Sequence, residues 1–121
     1  MNKRTVGEKY EEIACRYLEG KGFLTAERNF RCRQGEIDIV GYHEEYLVFV
    51  EVKYRATECA GHPAEAVTKQ KQKKICRTGD YYRYKHGIGD HRAIRYDVVA
   101  LCGQGNRMDI TWYKNAFWHV F

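Results

Sequence analysis

The chain has 121 residues, 44% hydrophobic and 31% charged, with one proline and a formal net charge of +5 from 21 basic and 16 acidic residues. This is the composition of an ordinary globular protein, and the length gives room for one domain, residues 1–121, and not for a second. No apolar run approaches the roughly 18 residues needed to span a membrane, no Ser/Gly-rich tract suggests a linker or disorder, and the basic excess favours a polyanionic partner.

Met1-Asn2-Lys3-Arg4 lacks the apolar segment of a signal peptide. Cys15, Cys32, Cys59, Cys76 and Cys102 are scattered with no Cys-x-x-Cys pair. They are expected to be free thiols of a cytoplasmic protein rather than disulfides or a zinc site. Residues 5–21 read as a helix stopped by Gly20 and Gly22. At about 100° per residue, Tyr10, Ala14, Cys15, Tyr17 and Leu18 form one apolar arc, with Glu8, Glu12, Arg16 and Glu19 on the other side. Glu11 projects inside the apolar arc.

Residues 23–29 read as a short edge strand, and a basic turn through Arg31 leads on to Gly35. Gly35 and Gly41 bracket a second strand, and residues 46–54 form a third. A loop over 56–63 precedes a second helix over 64–85. Its core-facing stripe is Gln72, Ile75, Cys76, Gly79 and Tyr82, while Lys69, Lys73 and Arg77 line another face. The helix ends in Tyr81-Tyr82-Arg83-Tyr84-Lys85-His86. Such a run is able to stack on unpaired bases, although helix-end packing is the simpler expectation. A fourth strand spans 93–101 and a fifth 108–113, and the tail from Phe117 to Phe121 is expected to pack back on the body or form a dimer contact. Asp97 is expected to be structural, paired with Arg95 or a helix terminus.

The chemistry concentrates in the hairpin of the second and third strands. Side chains alternate along a strand, so Glu36, Asp38 and Val40 share one face, with Ile37 and Ile39 on the other. In the third strand Phe49, Glu51 and Lys53 share a face, and Val48, Val50 and Val52 the opposite one. The run from Leu47 to Val52 is apolar enough for a central strand covered on both sides. Buried charges need partners or a metal. Two carboxylates and an ammonium on neighbouring strands, within reach of one divalent cation, meet that need.

Gly35-Glu36-Ile37-Asp38 followed by Val48-Phe49-Val50-Glu51-Val52-Lys53-Tyr54-Arg55 resembles the PD-(D/E)xK nuclease superfamily in its Holliday-junction-resolvase-like branch, and within it the YraN-type family of endonuclease-like proteins. The resemblance continues through Val67-Thr68, Lys71-Gln72, Arg95-Tyr96-Asp97 and Asn115-Ala116-Phe117. It departs at Cys59-Ala60-Gly61, where the family carries an aromatic residue before the glycine. It implies an α/β fold with a restriction-endonuclease-like core, a mixed sheet of about five strands flanked by helices, in the order α-β-β-β-α-β-β.

By the same resemblance the chain would be a Mg²⁺- or Mn²⁺-dependent endodeoxyribonuclease. Asp38 and Glu51 would be carboxylate ligands, the Val52 carbonyl a further ligand, and Glu11 on the first helix would complete the set, with Glu8 as its substitute. Lys53 would orient the attacking water and stabilise developing charge. Glu36 is expected to lie outside this set. Arg28, Arg31, Arg33, Arg55, Lys69, Lys71, Gln72, Lys73 and Arg77 would contact the phosphate backbone. With no evident base reader, the expected partner is branched or flapped DNA, and resolving a junction would require a homodimer. Two rival readings stay open: a nucleic-acid-binding module of the same fold with little or no catalysis, and an adaptor acting through its aromatic tail.

Overall fold

The computed structural model describes residues 3–57 and 67–120, with side chains from Gly7 onward. The elements are α1 (Lys3–Glu19), β1 (Leu24–Cys32), β2 (Gly35–His43), β3 (Tyr46–Arg55), α2 (Lys69–Lys85), β4 (Ile94–Cys102), a 3₁₀ turn (Gly105–Arg107) and β5 (Asp109–Phe117). This is the expected order of two helices and five strands. The strands form one mixed sheet in the order β1-β2-β3-β4-β5. β1, β2 and β3 are antiparallel neighbours, β3 and β4 run parallel across the α2 crossover, and β5 returns antiparallel to β4.

The apolar run of β3 explains the layering. Leu47, Val48, Phe49 and Val50 are all at most 1% exposed, so this central strand is covered on both faces. Phe49, Leu47 and Val40 pack with Ile75, Cys76 and Tyr82 of α2. Val48, Val50, Val99 and Leu101 pack with Ala14, Cys15 and Leu18 of α1. Burying a side chain of this size contributes about 1.5–3 kcal/mol relative to leaving it in water, so a helix on either face is the arrangement that keeps β3 dry.

Two glycines set the spacing of these layers. A Cβ on Gly79 would lie 2.9 Å from the Phe49 ring, so α2 seats closely on the sheet only without one. A Cβ on Gly41 would lie 2.3 Å from the Leu24 carbonyl, where β1 presses on β2.

The boundaries differ from the sequence reading in instructive places. β1 runs to Cys32, because Phe30 is buried and pairs with Ile37, so the basic stretch is strand rather than turn. β5 runs on to Phe117, drawn in by pairing with Tyr96 and by burial of the ring. Helix α2 begins at Lys69, since Thr68 is extended and its side chain accepts the Lys71 N–H at 3.1 Å as an N-cap. The loop over 58–63 and the proposed helix start over 64–66 lie outside the described residues. Cys15, Cys32 and Cys76 are free thiols, but Cys102 is disulfide-bonded, against the expectation of five free thiols. Among the described residues, no helix is long and apolar enough to cross a membrane.

Candidate metal centre and active site

The β2–β3 ladder ends at Ile39–Val50, one pair short of Asp38 and Glu51. Beyond that pair the backbones no longer bond to each other. Instead Asp38 Oδ2 accepts the Val52 N–H at 2.8 Å, so the carboxylate occupies the place of a carbonyl partner and is held in the opening between the strands. On the other side of Asp38, the β1–β2 register continues unshifted, with the Asn29–Asp38 pair left out. Arg28 pairs with Ile39 and Phe30 with Ile37, while the intervening Asn29 takes φ 55°. Asparagine is among the few residues that tolerate this left-handed conformation.

The interruption corrects the expected alternation. Ile37 packs in the α2-side layer with Val40, and Ile39 in the α1-side layer. Strict alternation had put Ile37 and Ile39 together. The strand reorients at Asp38, so this residue is reached from both helices.

From the α1 side comes Glu11. It lies one turn before the buried Ala14 and Cys15, on the stripe that α1 turns toward the sheet. Glu11, Glu36 and Asp38 each offer a carboxylate oxygen within 4.8 Å of the others. Glu36, expected to stand apart, is thus a member of the cluster, and its second contact is Arg31 at 3.3 Å. Burial and the neighbouring Asp38 charge push the Glu11 carboxyl up to about 7, opposed by a hydrogen bond from Asn29. Among the described residues, Glu11 Oε2 is buried with no hydrogen-bond partner. A cleft of about 310 Å³ opens here, lined by Gly7, Glu8, Glu11, Asn29, Arg31 and Glu36.

From the α2 side comes Glu51, 7% exposed and within hydrogen-bonding reach of Asp38. Its pKa is pushed up to about 8 by burial and then by Asp38, against the opposing pull of Lys71 and Lys53. Lys71 Nζ stands 4.0 Å from Glu51 Oε1. Asp38 itself is also raised, chiefly by burial, with the Val52 N–H acting the other way. The centre therefore holds four carboxylates, with Arg31 beside Glu36 and two lysines beside Glu51.

A hard cation fits this set. The converging donors are carboxylate oxygens, with no thiolate or imidazole among them; such a set suits Mg²⁺ or Mn²⁺. A bound cation would also satisfy the orphaned Glu11 oxygen and lower the mutual repulsion that raises the three pKa values.

Of the expected site residues, the structure brings Asp38, Glu51 and Glu11 together with Val52 and puts Lys53 within electrostatic reach of Glu51. Arg31 borders the cleft. Arg33, Arg55, Lys69, Lys73 and Arg77 are exposed. Gln72 is a correction: it is 4% exposed and its side-chain amide donates to the Val67 carbonyl at 3.0 Å, so it braces the start of α2 and is closed to a ligand. Arg28 is half-buried and engaged in an ion pair with Glu12, which leaves it poorly placed to meet a phosphate. Sequence reasoning missed Asn29, whose only signal was an asparagine inside a strand-like run.

A second buried polar group lies across β3. Asp97 is fully buried and accepts from Arg95 Nε at 3.0 Å, Trp112 Nε1 at 2.8 Å and the Asn115 N–H at 2.9 Å. His43 Nδ1 lies 3.0 Å from the same guanidinium. Burial and then Arg95 hold the His43 pKa below its ordinary value. The structural role expected for Asp97, through Arg95, is the one observed.

Fold and site together define a three-layer α/β/α domain that carries a carboxylate cluster where its central hairpin opens. The chain belongs to the uncharacterised protein family UPF0102, the YraN family, whose model matches residues 10–101. It is similar to a UPF0102 protein of Aliivibrio salmonicida, 47% identical over 116 residues that cover 95% of this chain and 93% of the relative. A UPF0102 protein of Lachnoclostridium phytofermentans is 44% identical over 117 residues, 97% and 96% of the two chains. One of Nitrosococcus oceani is 34% identical over 114 residues, 94% and 92%.

Proposed function

We propose that this protein is a metal-dependent DNA endonuclease that hydrolyses phosphodiester bonds and selects its substrate by DNA structure rather than base sequence. The observation that carries the reading is the Asp38 centre: Glu11, Glu36 and Glu51 crowd one half-buried carboxylate, and Glu11 leaves a buried oxygen unpaired. A purely structural cluster of this kind would be expected to hold a compensating Arg at its middle, as Asp97 does. The resemblance of the Asp38 and Glu51-Val52-Lys53 motif to the PD-(D/E)xK nucleases supports the same conclusion.

Asp38, Glu11 and Glu36 would hold the cation, with Glu51 and the Val52 carbonyl as further donors. A hard divalent ion there supplies Lewis acidity toward a phosphate oxygen and lowers the pKa of bound water. The remaining work falls to the chain. Lys53 presents an ammonium beside the carboxylates to orient the attacking water and stabilise charge developing on the phosphate. Lys71, held near Glu51, opposes the burial that favours the protonated form of that carboxyl. Arg31 at the cleft rim and the exposed Arg33, Arg55, Lys69, Lys73 and Arg77 offer contacts to phosphates, which carry no sequence information. That is the basis for structural selectivity toward branched or flapped DNA.

The test is cleavage of labelled duplex, flap, single-stranded and four-way-junction DNA with Mg²⁺ or Mn²⁺, comparing wild type with Asp38→Ala and Lys53→Ala. Cutting that needs metal and disappears in both variants is the expected result. Binding without cutting on every substrate would make the protein a nucleic-acid-binding module. Cutting that survives both substitutions would remove these residues from the chemistry.

A further inference from the structure

The far end of α2 carries aromatic rings that the Asp38 centre does not use. Tyr82 is buried against Phe30 and Phe49, whereas Tyr84 is 82% exposed and Trp118, just beyond β5, is 78% exposed. Both line one groove of about 660 Å³, floored by Ile88, Ile94, Tyr96 and Phe117. Tyr96 and Phe117 stack with centroids 5.2 Å apart and form a flat base to it.

The charges around the groove are arranged unevenly. Its acidic groups are occupied: Asp80 meets His119 at 3.0 Å, and Asp90 accepts from Arg83 at 3.1 Å. Its guanidiniums keep spare donors. Arg83 Nε and Arg92 Nε are buried without hydrogen-bond partners among the described residues. At about 100° per residue, Tyr84 falls on the same outward stripe of α2 as Lys69, Lys73 and Arg77, opposite the buried Ile75, Gly79 and Tyr82. These three cations are exposed, and Asp80, engaged by His119, lies on the same stripe. Three exposed cations thus run along the outer face of α2 toward the aromatic groove, on the side of the helix away from Lys71 and Glu51.

We propose that this outward face of α2 is the track for a single-stranded DNA arm, and that an unpaired base of the arm enters the groove and stacks on Tyr84 and Trp118. This deepens the proposed function by naming the structure that is selected, and it rests on that reading for the identity of the polymer. Lys69, Lys73 and Arg77 pair with successive phosphates, while the rings accept any base, because every base has a π-face. The distance along the helix from Lys69 to Tyr84 is about 22 Å, enough for the few nucleotides at the short end of the roughly 4–16-nucleotide sites of single-strand binders.

The experiment is a titration of the full chain, in chelator so that nothing is cut, with a fluorescein-labelled oligothymidylate of about twelve nucleotides and with a duplex of equal length. Fluorescence anisotropy reads affinity, and tryptophan quenching reads the groove, because Trp118 is exposed while Trp112 is held by Asp97. Wild type should show quenching by the single strand. Tyr84→Ala and Trp118→Ala should each weaken its binding about 5- to 100-fold, with at most about a two-fold change on the duplex. Trp118→Phe, which keeps a ring and the apolar contacts, should restore most of the affinity. Undiminished single-strand binding by both alanine variants would overturn the proposal. So would sedimentation showing that they lose self-association instead, since the groove would then belong to a second copy. Failure here is separable from failure of the nuclease reading. Quenching by the single strand without cleavage of any substrate would leave the track and remove the nuclease. Flap cleavage indifferent to Tyr84→Ala would leave the nuclease and remove the track.

Discussion

Asp38 and Asp97 sit on the two strands that flank β3, and their surroundings are opposites. Asp97 is enclosed by donors: a bidentate guanidinium, an indole N–H and a peptide N–H. Asp38 has one peptide N–H and is otherwise crowded by Glu11, Glu36 and Glu51. A buried carboxylate with every lone pair engaged strengthens a fold, whereas one set among like charges strains it unless a cation arrives. One carboxylate is satisfied by the fold and the other is left among like charges, although both aspartates lie in apolar strand sequence.

The largest effect expected from breaking this contrast is on stability. Asp97→Ala leaves Arg95 buried without its counter-charge and should cost about 3–5 kcal/mol, read as a fall in the urea midpoint. Asp38→Asn, in chelator at pH 8, should leave the midpoint unchanged or raise it, since it removes a charge from a repulsive cluster. If Asp38→Asn were as damaging as Asp97→Ala, the two sites would be alike and the carboxylate centre would be structural.

Lys53→Ala sharpens the contrast from the functional side. It should lower metal-dependent cleavage about 10²- to 10³-fold, the scale for losing one charge-stabilising group, while leaving the urea midpoint near wild type. A parallel loss of stability would class Lys53 with Arg95 instead.

The pH dependence should have a definite sign. Glu11 and Glu51 have folded-state pKa values raised to about 7 and about 8 from an ordinary 4.5. The native state therefore holds protons that the unfolded chain has released, and stability falls as pH rises from about 4.5 through 7 and 8. Thermal melts in chelator should show this decline. Added Mg²⁺ or Mn²⁺ should raise the melting temperature more at pH 8 than at pH 5.5, because ligands must be deprotonated to bind. A metal effect equal at both values would count against these carboxylates as the binding site.

The smallest effect belongs to the cleft rim. Arg31→Ala should weaken DNA binding uniformly across sequences and lower the slope of log K against log salt by about 0.9, the value for one phosphate contact. No change in slope would restrict Arg31 to its contact with Glu36.

Much of this molecule is legible along the chain. The run Leu47 to Val52 announces a central strand, the stripe through Ile75, Gly79 and Tyr82 announces a helix packed on it, and Asp38 with Glu51 and Lys53 announces the place where chemistry would sit. These follow from short-range physics, because periodicity and burial repeat every few residues. Glu11 could be marked as a charge inside an apolar stripe, but its approach to Asp38 depends on how α1 seats on the sheet.

Other features were settled only by distant contacts. Glu36 joins the cluster, and Ile37 parts from Ile39, where Asn29 turns left-handed opposite Asp38 and the β2–β3 ladder ends, which no alternation rule expresses. Gln72 looks like a polar group free for a ligand until its amide is seen bonded to the Val67 carbonyl. Cys102 reads as a solitary thiol and is disulfide-bonded. Local propensity and hydrophobic pattern determined the elements and their buried faces. The tertiary structure decided which charges meet, since Coulomb and hydrogen-bond energies depend on distances of a few ångströms between residues far apart in the chain.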